Sequence, residues 1–342
     1  MDIRKLGESG LIKEIAQEIS FSDPKVIMGV GDDAAVTEVE SNEYLLSTVD
    51  TLIEDVHFSL YYTSASLLGR KAVTVSLSDI AAMGGTPNYI LVSIAIPDKI
   101  ESNFVSLLYK GIKEQADSYS VRVIGGDTLS SPDKLIVSIF MLGKVSRRQV
   151  VFRNGAKEGD KIYVTGTVGD SALGLKILKQ GCHYNGLDID KSPYRQATLA
   201  HIDPKPRVEI GKVLAERGLA TAMIDISDGL LKDMRHITEE SGVGANIYLS
   251  KLPLSTALKK HLVETPEDLT LPLSGGEDYE LLFTSSPSLS YKVEATSREL
   301  RCPISYIGDI VSPTKGTNVI GKDGKNILIK YEGFDHFRVI TQ

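Results

Sequence analysis

Five short acidic motifs, each beside glycine, serine or threonine, constrain this chain more than any other feature of its sequence. They read Gly31-Asp32-Asp33, Thr48-Val49-Asp50-Thr51, Gly125-Gly126-Asp127-Thr128, Asp225-Ile226-Ser227-Asp228-Gly229 and Gly275-Gly276-Glu277-Asp278. We place each at a turn, where small neighbours leave backbone N–H groups free to approach phosphates. Magnesium prefers oxygen ligands and is usually held by a few carboxylates plus substrate phosphates. The motifs therefore predict a site that handles nucleotide phosphate through metal.

The composition is that of a globular protein with room for two domains. The chain has 342 residues, of which 42% are hydrophobic and 24% charged. A net charge of -7 disfavours nucleic-acid binding but is compatible with a nucleotide substrate. Cys182 and Cys302 form neither a disulfide framework nor a zinc pattern, and they fit a cytoplasmic protein. We expect no membrane segment, because the strongest apolar runs, 89–97 and 135–143, are too short to span a bilayer.

Strands and helices alternate through the first half of the chain. The predicted strands are 44–49, 88–96, 121–124 and 134–145, and the predicted helices are 64–83 and 101–118. The composition shifts at Ser146-Arg147-Arg148. This shift predicts a first domain over 1–146 and a second domain over 147–342.

The second half again mixes both kinds of element. Strands are predicted at 160–165, 221–226, 245–249, 278–284 and 304–310, and helices at 171–180, 206–217 and 229–241. The polar segment 181–206 contains glycine and proline, and we expect a long surface connection there. Ser227 and Asp228 are expected to cap the helix at 229–241.

Asp79 is the most diagnostic single residue, because it interrupts an apolar stripe. The stripe follows helical spacing and comprises Leu68, Ala72, Val75, Asp79 and Ala82. An acid on such a stripe costs free energy unless it is paired or bound to metal. The alternative to a metal ligand is an acid satisfied by Arg70, by Lys71 or by neighbouring backbone.

The other motifs place polar groups beside strand ends, where α/β proteins put their chemistry. Asp50 ends one predicted strand, and Gly125-Gly126-Asp127-Thr128 ends another. Alternation puts Asp225 and Ser227 on one face, just before a helix N-terminus that favours anions. His57 is compatible with a phosphate or aromatic contact and equally with a surface position.

Two glycine-containing segments match nucleotide motifs only in part. Gly29-Val30-Gly31 starts a dinucleotide fingerprint whose third glycine is replaced by Ala34, so a Gly-Asp turn is the alternative. The segment 316–322 matches most of a phosphate-binding loop, but Asp323 stands where serine or threonine is required. We predict a hairpin there.

Taken together, the motifs resemble those of the aminoimidazole ribonucleotide synthetase superfamily, and within it the bacterial thiamine-monophosphate kinases. The resemblance runs from about Gly29 to Phe337 and includes two longer stretches, Ser78-Asp79-Ile80-Ala81-Ala82-Met83-Gly84 and Leu273-Ser274-Gly275-Gly276-Glu277-Asp278-Tyr279-Glu280-Leu281. It implies that ATP and thiamine phosphate give ADP and thiamine diphosphate, with several Mg²⁺ ions. It also implies an α+β (mixed α/β) fold of two domains and a homodimer. The N-terminal sheets would form a barrel across the dimer, and the C-terminal domain would be an α/β sandwich.

The resemblance also assigns roles to individual positions. The implied metal ligands are Asp33, Thr48, Val49 through its backbone, Asp50, Asp79, Asp127, Asp225 and Asp228. Among these, the residues expected to carry catalysis are Asp50, Asp79, Asp127 and Asp228. The implied ATP-binding residues are Tyr109, Gly126, Asp127, Arg153 and Ser227, and the implied substrate residues are His57, Glu277 and Phe334. Phe334 replaces a frequent tryptophan, which keeps an aromatic face but loses the indole N–H.

Other superfamily members and a non-catalytic sensor are the alternatives. Selenophosphate synthetases use a reactive cysteine or selenocysteine near the N-terminus, and no cysteine precedes Cys182 here. Hydrogenase-maturation relatives use a C-terminal cysteine, whereas this chain ends Val339-Ile340-Thr341-Gln342. Aminoimidazole ribonucleotide synthetase itself would be distinguished by turnover of formylglycinamidine ribonucleotide. A nucleotide or metal sensor would bind ATP and transfer nothing.

Overall fold

The first half of the chain builds one sheet with two of its helices on one face. The computed structural model describes residues 3–19, 22–40, 42–181, 192–329 and 333–337. The elements of this half are α1 (Ile3–Glu18), β1 (Val26–Met28), β2 (Ala35–Glu40), β3 (Glu43–Ile53), α2 (Ala65–Ala82), β4 (Thr86–Pro97), α3 (Ser102–Ser118), β5 (Arg122–Ser131) and β6 (Ile136–Ser146). The strand order is β1-β2-β3-β6-β4-β5. Within this sheet, as described, β4 and β5 pair in parallel, with α3 as the crossover between them, and the other neighbouring strands pair antiparallel.

Residues alternate between the two faces of this sheet. On β6, Val137, Ile139 and Met141 are buried, whereas Phe140 between them is exposed. The buried face packs against α2, which begins where the Ser64 hydroxyl accepts a hydrogen bond from Leu67 N (3.3 Å). The other face lies open in the single chain, with β1 and β5 as the sheet edges.

The second half builds a separate sheet of seven strands. Its elements are β7 (Lys161–Thr165), α4 (Asp170–Lys179), α5 (Arg195–Ile202), α6 (Val208–Glu216), β8 (Ala222–Asp225), α7 (Leu230–Ser241), β9 (Gly244–Tyr248), α8 (Thr256–Glu264), α9 (Leu271–Ser274), β10 (Leu281–Ser285), α10 (Ser290–Glu299), β11 (Ile304–Val311), β12 (Thr317–Ile320) and β13 (Asn326–Ile327). The strand order is β13-β12-β9-β11-β7-β10-β8. Helix α2 of the first half also packs against α6 and β8 and so joins the two halves. No helix in the described ranges has both the length and the apolar character that a membrane crossing needs.

Three expectations about local structure were wrong. Helix α5 lies within 181–206, where a connection was expected; residues 182–191 of that segment fall outside the described ranges. Gly125-Gly126-Asp127-Thr128 lies inside β5, and Asp50 lies inside β3, so neither motif follows the end of its strand. The N-cap of α7 is Gly229, so the prediction that Ser227 and Asp228 cap this helix was wrong. Instead, the Asp233 carboxylate accepts from the backbone N–H groups of Asp228 (3.2 Å) and Gly229 (3.0 Å).

The interpretation of 316–322 as a hairpin is confirmed. Strands β12 and β13 pair antiparallel, with Val319 opposite Ile327. The turn between them closes through a hydrogen bond from Gly321 N to Lys325 O (2.8 Å). The partial phosphate-loop pattern is therefore a consequence of turn chemistry.

Gly111 provides a test of how closely α2 and α3 pack. A Cβ at this position would lie 1.9 Å from the carbonyl oxygen of Ser66, so Gly111→Ala must push the helices apart. We expect the free energy of unfolding to fall by about 1–3 kcal/mol, despite the better helix propensity of alanine. Urea denaturation measures the change. Glu114→Ala, exposed on the same helix, is the control, and equal stabilities for Gly111→Ala and wild type would contradict the packing.

Candidate active site

Three carboxylates from distant parts of the sequence meet at one place. Asp33 lies in the loop before β2, Asp79 in the last turn of α2, and Asp225 at the end of β8. One carboxylate oxygen from each lies within 4.8 Å of the other two. We refer to Asp33, Asp79 and Asp225 as the three-acid group. Oxygen atoms at this spacing can share a hard divalent cation.

Hydroxyl groups of α2 orient two carboxylates in this region. Ser76 Oγ donates to Asp50 Oδ2 (2.7 Å), and Ser78 Oγ donates to Asp225 Oδ2 (2.6 Å). Both serines are buried, so their hydroxyls have these carboxylates as near partners in place of water. The bonds connect β3 and β8 to the same turn of one helix, and they fix where the carboxylate oxygens point.

Asp79 does not pair with either of the basic neighbours that the sequence offered as partners. The hydroxyl of Thr48 donates to its Oδ2. Arg70 and Lys71, the cations considered as partners, pair with other carboxylates instead. Asp79 therefore has no adjacent cation from α2 to balance its charge, which leaves it suited to a metal ion.

The pKa values of these acids are raised. Burial, reinforced by the charge of Asp33, raises the pKa of Asp225 to about 8. Burial raises the pKa of Asp50 to about 6. Asp79 has a pKa well above its ordinary value because it is buried and lies close to Asp50 and Asp225. Carboxylates that are desolvated and repel one another are stabilised by a cation, and an oxygen-only donor set fits magnesium.

Arg153 supplies one positive charge at the edge of the group. Its Nη2 donates to Asp33 Oδ1 (2.7 Å), and its backbone N–H donates to Asp32 Oδ2 (3.0 Å). Burial and the neighbouring Asp33 raise the pKa of Asp32 to about 7. The guanidinium, which the resemblance assigns to ATP, thus lies directly beside a predicted metal ligand.

Two of the acidic motifs form a single structure. Glu277 N donates to Ser227 O (2.7 Å), and Tyr279 N donates to Ile226 O (2.9 Å). A Cβ on Gly276 would lie 2.5 Å from Ser227 O, so this contact requires glycine. Glu277 itself has φ 65°, a left-handed conformation that is uncommon outside glycine. Residues 275–279 are therefore fixed against the loop that precedes α7.

The C-terminal segment 333–337 reaches the same loop. Lys232 Nζ contacts Asp228 Oδ2 (2.6 Å) and Phe334 O (2.7 Å), and Phe334 N donates to Asp228 O (2.9 Å). The Phe334 ring meets the His336 ring with centroids 4.8 Å apart, and His336 meets His57 at 5.0 Å. Two predicted substrate residues, His57 and Phe334, are thus connected through His336.

A pocket of about 340 Å³ opens beside this aromatic chain, and both His57 and Glu277 line it. Tyr62 and His201 contribute to the same walls. Burial opposes ionisation of Glu277, but the adjacent Lys71 (Nζ to Oε1 2.8 Å), together with His201, holds its pKa below the ordinary value. Burial, with the nearby charge of His336, lowers the pKa of His57.

Three predicted residues lie apart from the three-acid group, as far as the described chain shows. Asp127 is exposed on β5, where its carboxylate accepts from Thr128 N (2.9 Å). A Cβ on Gly126 would lie 1.9 Å from Val92 O, so close pairing of β4 and β5 is enough to require this glycine. Tyr109 packs partly buried against the core of the first half.

Comparison with known proteins shows the family of this chain. The chain matches the family models of AIR synthase related protein, N-terminal domain, over residues 31–145 and C-terminal domain over residues 157–320. It is 36% identical over 314 residues to the thiamine-monophosphate kinase of Bacillus subtilis (strain 168), across 92% of this chain and 94% of that protein. The chain belongs to the thiamine-monophosphate kinase family.

Two further comparisons agree with this membership. The thiamine-monophosphate kinase of Escherichia coli (strain K12) is 36% identical over 332 residues, which cover 97% of this chain and 98% of that protein. The structure of AaThiL complexed with AMPPCP and TMP is similar with a TM-score of 0.83 and 34% identity, over 98% of this chain and 99% of that chain. The two-domain fold is therefore that of this family.

Several residues around the site of this family member were missed from the sequence. Ser76 and Ser78 could have been found, because they are hydroxyl residues close to Asp79 in a largely apolar stretch of the helix. Lys71 was considered only as a partner of Asp79. His201 lies in a segment interpreted as a surface connection, and nothing in the local sequence separates it from other histidines.

The buried His201 should make stability depend on pH. Burial, with a smaller contribution from Lys71, lowers its pKa to about 3, so the folded protein keeps it neutral while the unfolded chain protonates it near 6.5. Between these values the unfolded state binds more protons, and this residue destabilises the fold as the pH falls. We expect the stability advantage of wild type over His201→Gln to shrink by up to about 1.4 kcal/mol per pH unit below pH 6. Urea denaturation at pH 7.5, 6.0 and 5.0 measures it, and a constant difference would contradict the burial of a neutral ring.

Proposed function

We propose that this chain transfers the terminal phosphoryl group of ATP to thiamine phosphate, giving ADP and thiamine diphosphate. The three-acid group, in a chain whose relatives are named thiamine-monophosphate kinases, carries the proposal. The complex of AaThiL with AMPPCP and TMP supports the same pair of substrates.

We propose that several Mg²⁺ ions act in this site. The residues that would hold them are Asp33, Thr48, Val49, Asp50, Asp79, Asp127, Asp225 and Asp228. Bound magnesium would neutralise the repulsion between two polyanionic substrates. The Val49 side chain is exposed on the open face of β3, whereas Thr48 and Asp50 bond to Asp79 and Ser76 of α2, so Val49 can contribute only its backbone.

The protein's own groups would position the reactants. Ser76, Ser78 and Thr48 hold carboxylates in fixed orientations, and such preorganisation favours transfer because little needs to rearrange during reaction. Arg153 and Ser227 are proposed to contact the phosphates of ATP. A phosphate monoester is largely ionised near neutral pH, with a second pKa of about 6, so the acceptor needs no strong general base.

The organic part of the acceptor is proposed to occupy the pocket beside the acids. His57 and Glu277 line it, and the ring of Phe334 is connected to His57 through His336. Aromatic walls suit a flat heteroaromatic substrate. The pocket thus gives the proposed substrate a place for its rings, while its phosphate would face the acids.

Replacing the acids one at a time tests the proposed reaction. We expect Asp50→Asn, Asp79→Asn, Asp127→Asn and Asp228→Asn each to lower kcat by about 100-fold or more, because each removes a charged carboxylate that we propose to hold Mg²⁺. Thiamine diphosphate is followed by chromatography with ATP, thiamine phosphate and Mg²⁺, with EDTA as the metal-free arm, and circular dichroism checks the fold.

Asp323→Asn, in the turn between β12 and β13, is the matched control and should retain full activity. Near-normal turnover in all four variants would refute the assignment of the acids. Metal-dependent ATP binding by wild type without any thiamine diphosphate would refute the proposed reaction.

We also propose that two copies of the chain form a homodimer through the first domain. Val49, Phe140 and Leu91 are exposed, and they lie directly opposite one another on β3, β6 and β4. The edge strand β5 adds further exposed apolar side chains, including Ile124 and Leu129. An apolar row beside an unpaired strand edge favours association with another sheet. Two such sheets facing each other would make the expected barrel.

A charge placed in the apolar row tests the dimer. Phe140 is 44% exposed in the single chain, and we expect Phe140→Glu to raise the dimer dissociation constant by about 100-fold, because it would bury an unpaired carboxylate. Sedimentation velocity at micromolar concentration measures the change. Val263→Glu, at an 81% exposed position on α8, is the control and should remain dimeric. A monomeric wild type would overturn the dimer proposal.

We keep the domain limits at 1–146 and 147–342, supported by the change of sheet between β6 and β7. We also keep a cytoplasmic location, because both proposed substrates carry charged phosphates that do not pass a bilayer unaided.

A further inference from the structure

His201 lines the pocket, and neither the motifs nor the proposed reaction gives this residue a role. The residue is only 1% exposed, it lies on α5, and its ring stands edge-on to Tyr62 with centroids 5.9 Å apart. It lines the same pocket as His57 and Glu277. A buried polar ring in the wall of a substrate pocket is placed to meet a ligand.

The two nitrogen atoms of this ring differ in their partners. Nδ1 lies 3.1 Å from Ser171 Oγ and 3.4 Å from Glu277 Oε2. A carboxylate only accepts hydrogen bonds, so the proton of a neutral imidazole belongs on Nδ1, and Nε2 is left as an acceptor. Nε2 is buried, and no described group hydrogen-bonds to it. An unsatisfied buried acceptor costs free energy, which a donor on a ligand would recover.

The main alternative role for Glu277 is to attract a positively charged ligand, and the position of Lys71 argues against that role. Its Nζ lies 2.8 Å from Glu277 Oε1 and 3.4 Å from the carbonyl oxygen of His57. Lysine and glutamate together carry no net charge, so this end of the pocket recognises its ligand by hydrogen-bond pattern and shape. The acceptors that line the pocket include Nε2 of His201 and the carboxylate oxygens of Glu277 and Asp55.

We propose that His201 is a specificity-determining residue whose Nε2 accepts a hydrogen bond from an amino group on a heteroaromatic substrate ring. This inference rests on the proposed function. In thiamine phosphate the group is the exocyclic amino group of the aminopyrimidine ring. An analogue with oxygen in place of that amino group presents an acceptor to Nε2 and loses the bond.

The experiment compares thiamine phosphate with its 4-oxo analogue in wild type, His201→Phe and His201→Gln. We expect wild type to prefer the amino compound by about 10- to 100-fold in kcat/KM, mainly through KM. His201→Phe keeps a ring without an acceptor and should lose most of that preference while kcat changes little. His201→Gln keeps an acceptor oxygen and should retain part of it.

His261→Phe is the matched control. His261 is also buried and stands edge-on to a tyrosine, Tyr194, but it pairs with Asp268 outside this pocket. This variant should keep the wild-type preference. If folded His201→Phe discriminates as wild type does, the inference is wrong. If His201→Phe does not fold, His201→Leu replaces it under the same criterion.

Calorimetry separates this inference from the proposed reaction. If wild type turns over neither compound, the proposed reaction fails, and binding of thiamine phosphate against its 4-oxo analogue still tests His201. Preferential binding of the amino compound that His201→Phe abolishes would support the inference. Equal binding of both compounds by wild type would overturn it.

Discussion

The mutual repulsion of buried carboxylates is the constraint on which the rest of this structure depends. Asp33, Asp79 and Asp225 bring oxygen atoms within 4.8 Å, and burial raises the pKa of each carboxylate. Such a group is unfavourable on its own, so the surrounding fold has to hold it in place. It is formed by a loop, a helix end and a strand end from both halves of the chain. The site can therefore exist only when the two halves are packed together.

Helix α2 holds the two halves together around the acids, because its different faces pack against different elements. One side packs against the first sheet, and another packs against α6 and β8 of the second half. Along its length it carries Lys71, which pairs with Glu277 beside the pocket, and then Ser76, Ser78 and Asp79 at the acids. One rigid element thus sets the distance between the three-acid group and the pocket, which we propose as the phosphate site and the ring site.

The sequence predicted site residues where a residue differs in polarity or size from its neighbours in the sequence. Asp79 on an apolar stripe and acids beside paired glycines stand out locally, and the structure brings Asp33, Asp79 and Asp225 together. His201 and Asp233 do not stand out, because their roles come from partners at a distance along the chain or from backbone N–H groups. β5 extended further than predicted for a similar reason: glycines are poor strand formers, and pairing with β4 overrides that preference. Long-range contacts of this kind leave no periodic signal in a single sequence.

The loop 275–279 shows how the charged and uncharged parts of the site are kept in register. Asp278 accepts hydrogen bonds from Gly169 N (2.6 Å) and Ser171 N (3.2 Å), which anchors the loop to the start of α4. On either side of it, Glu277 and Tyr279 take left-handed conformations, with φ values of 65° and 50°. Such conformations cost free energy and persist only where the surroundings enforce them. Here the enforcement comes from backbone bonds to the loop before α7, so Glu277 cannot move without disturbing Ser227. The position of the Glu277 carboxylate, proposed to contact the substrate ring, is thereby tied to the loop before α7, where we propose that phosphate binds.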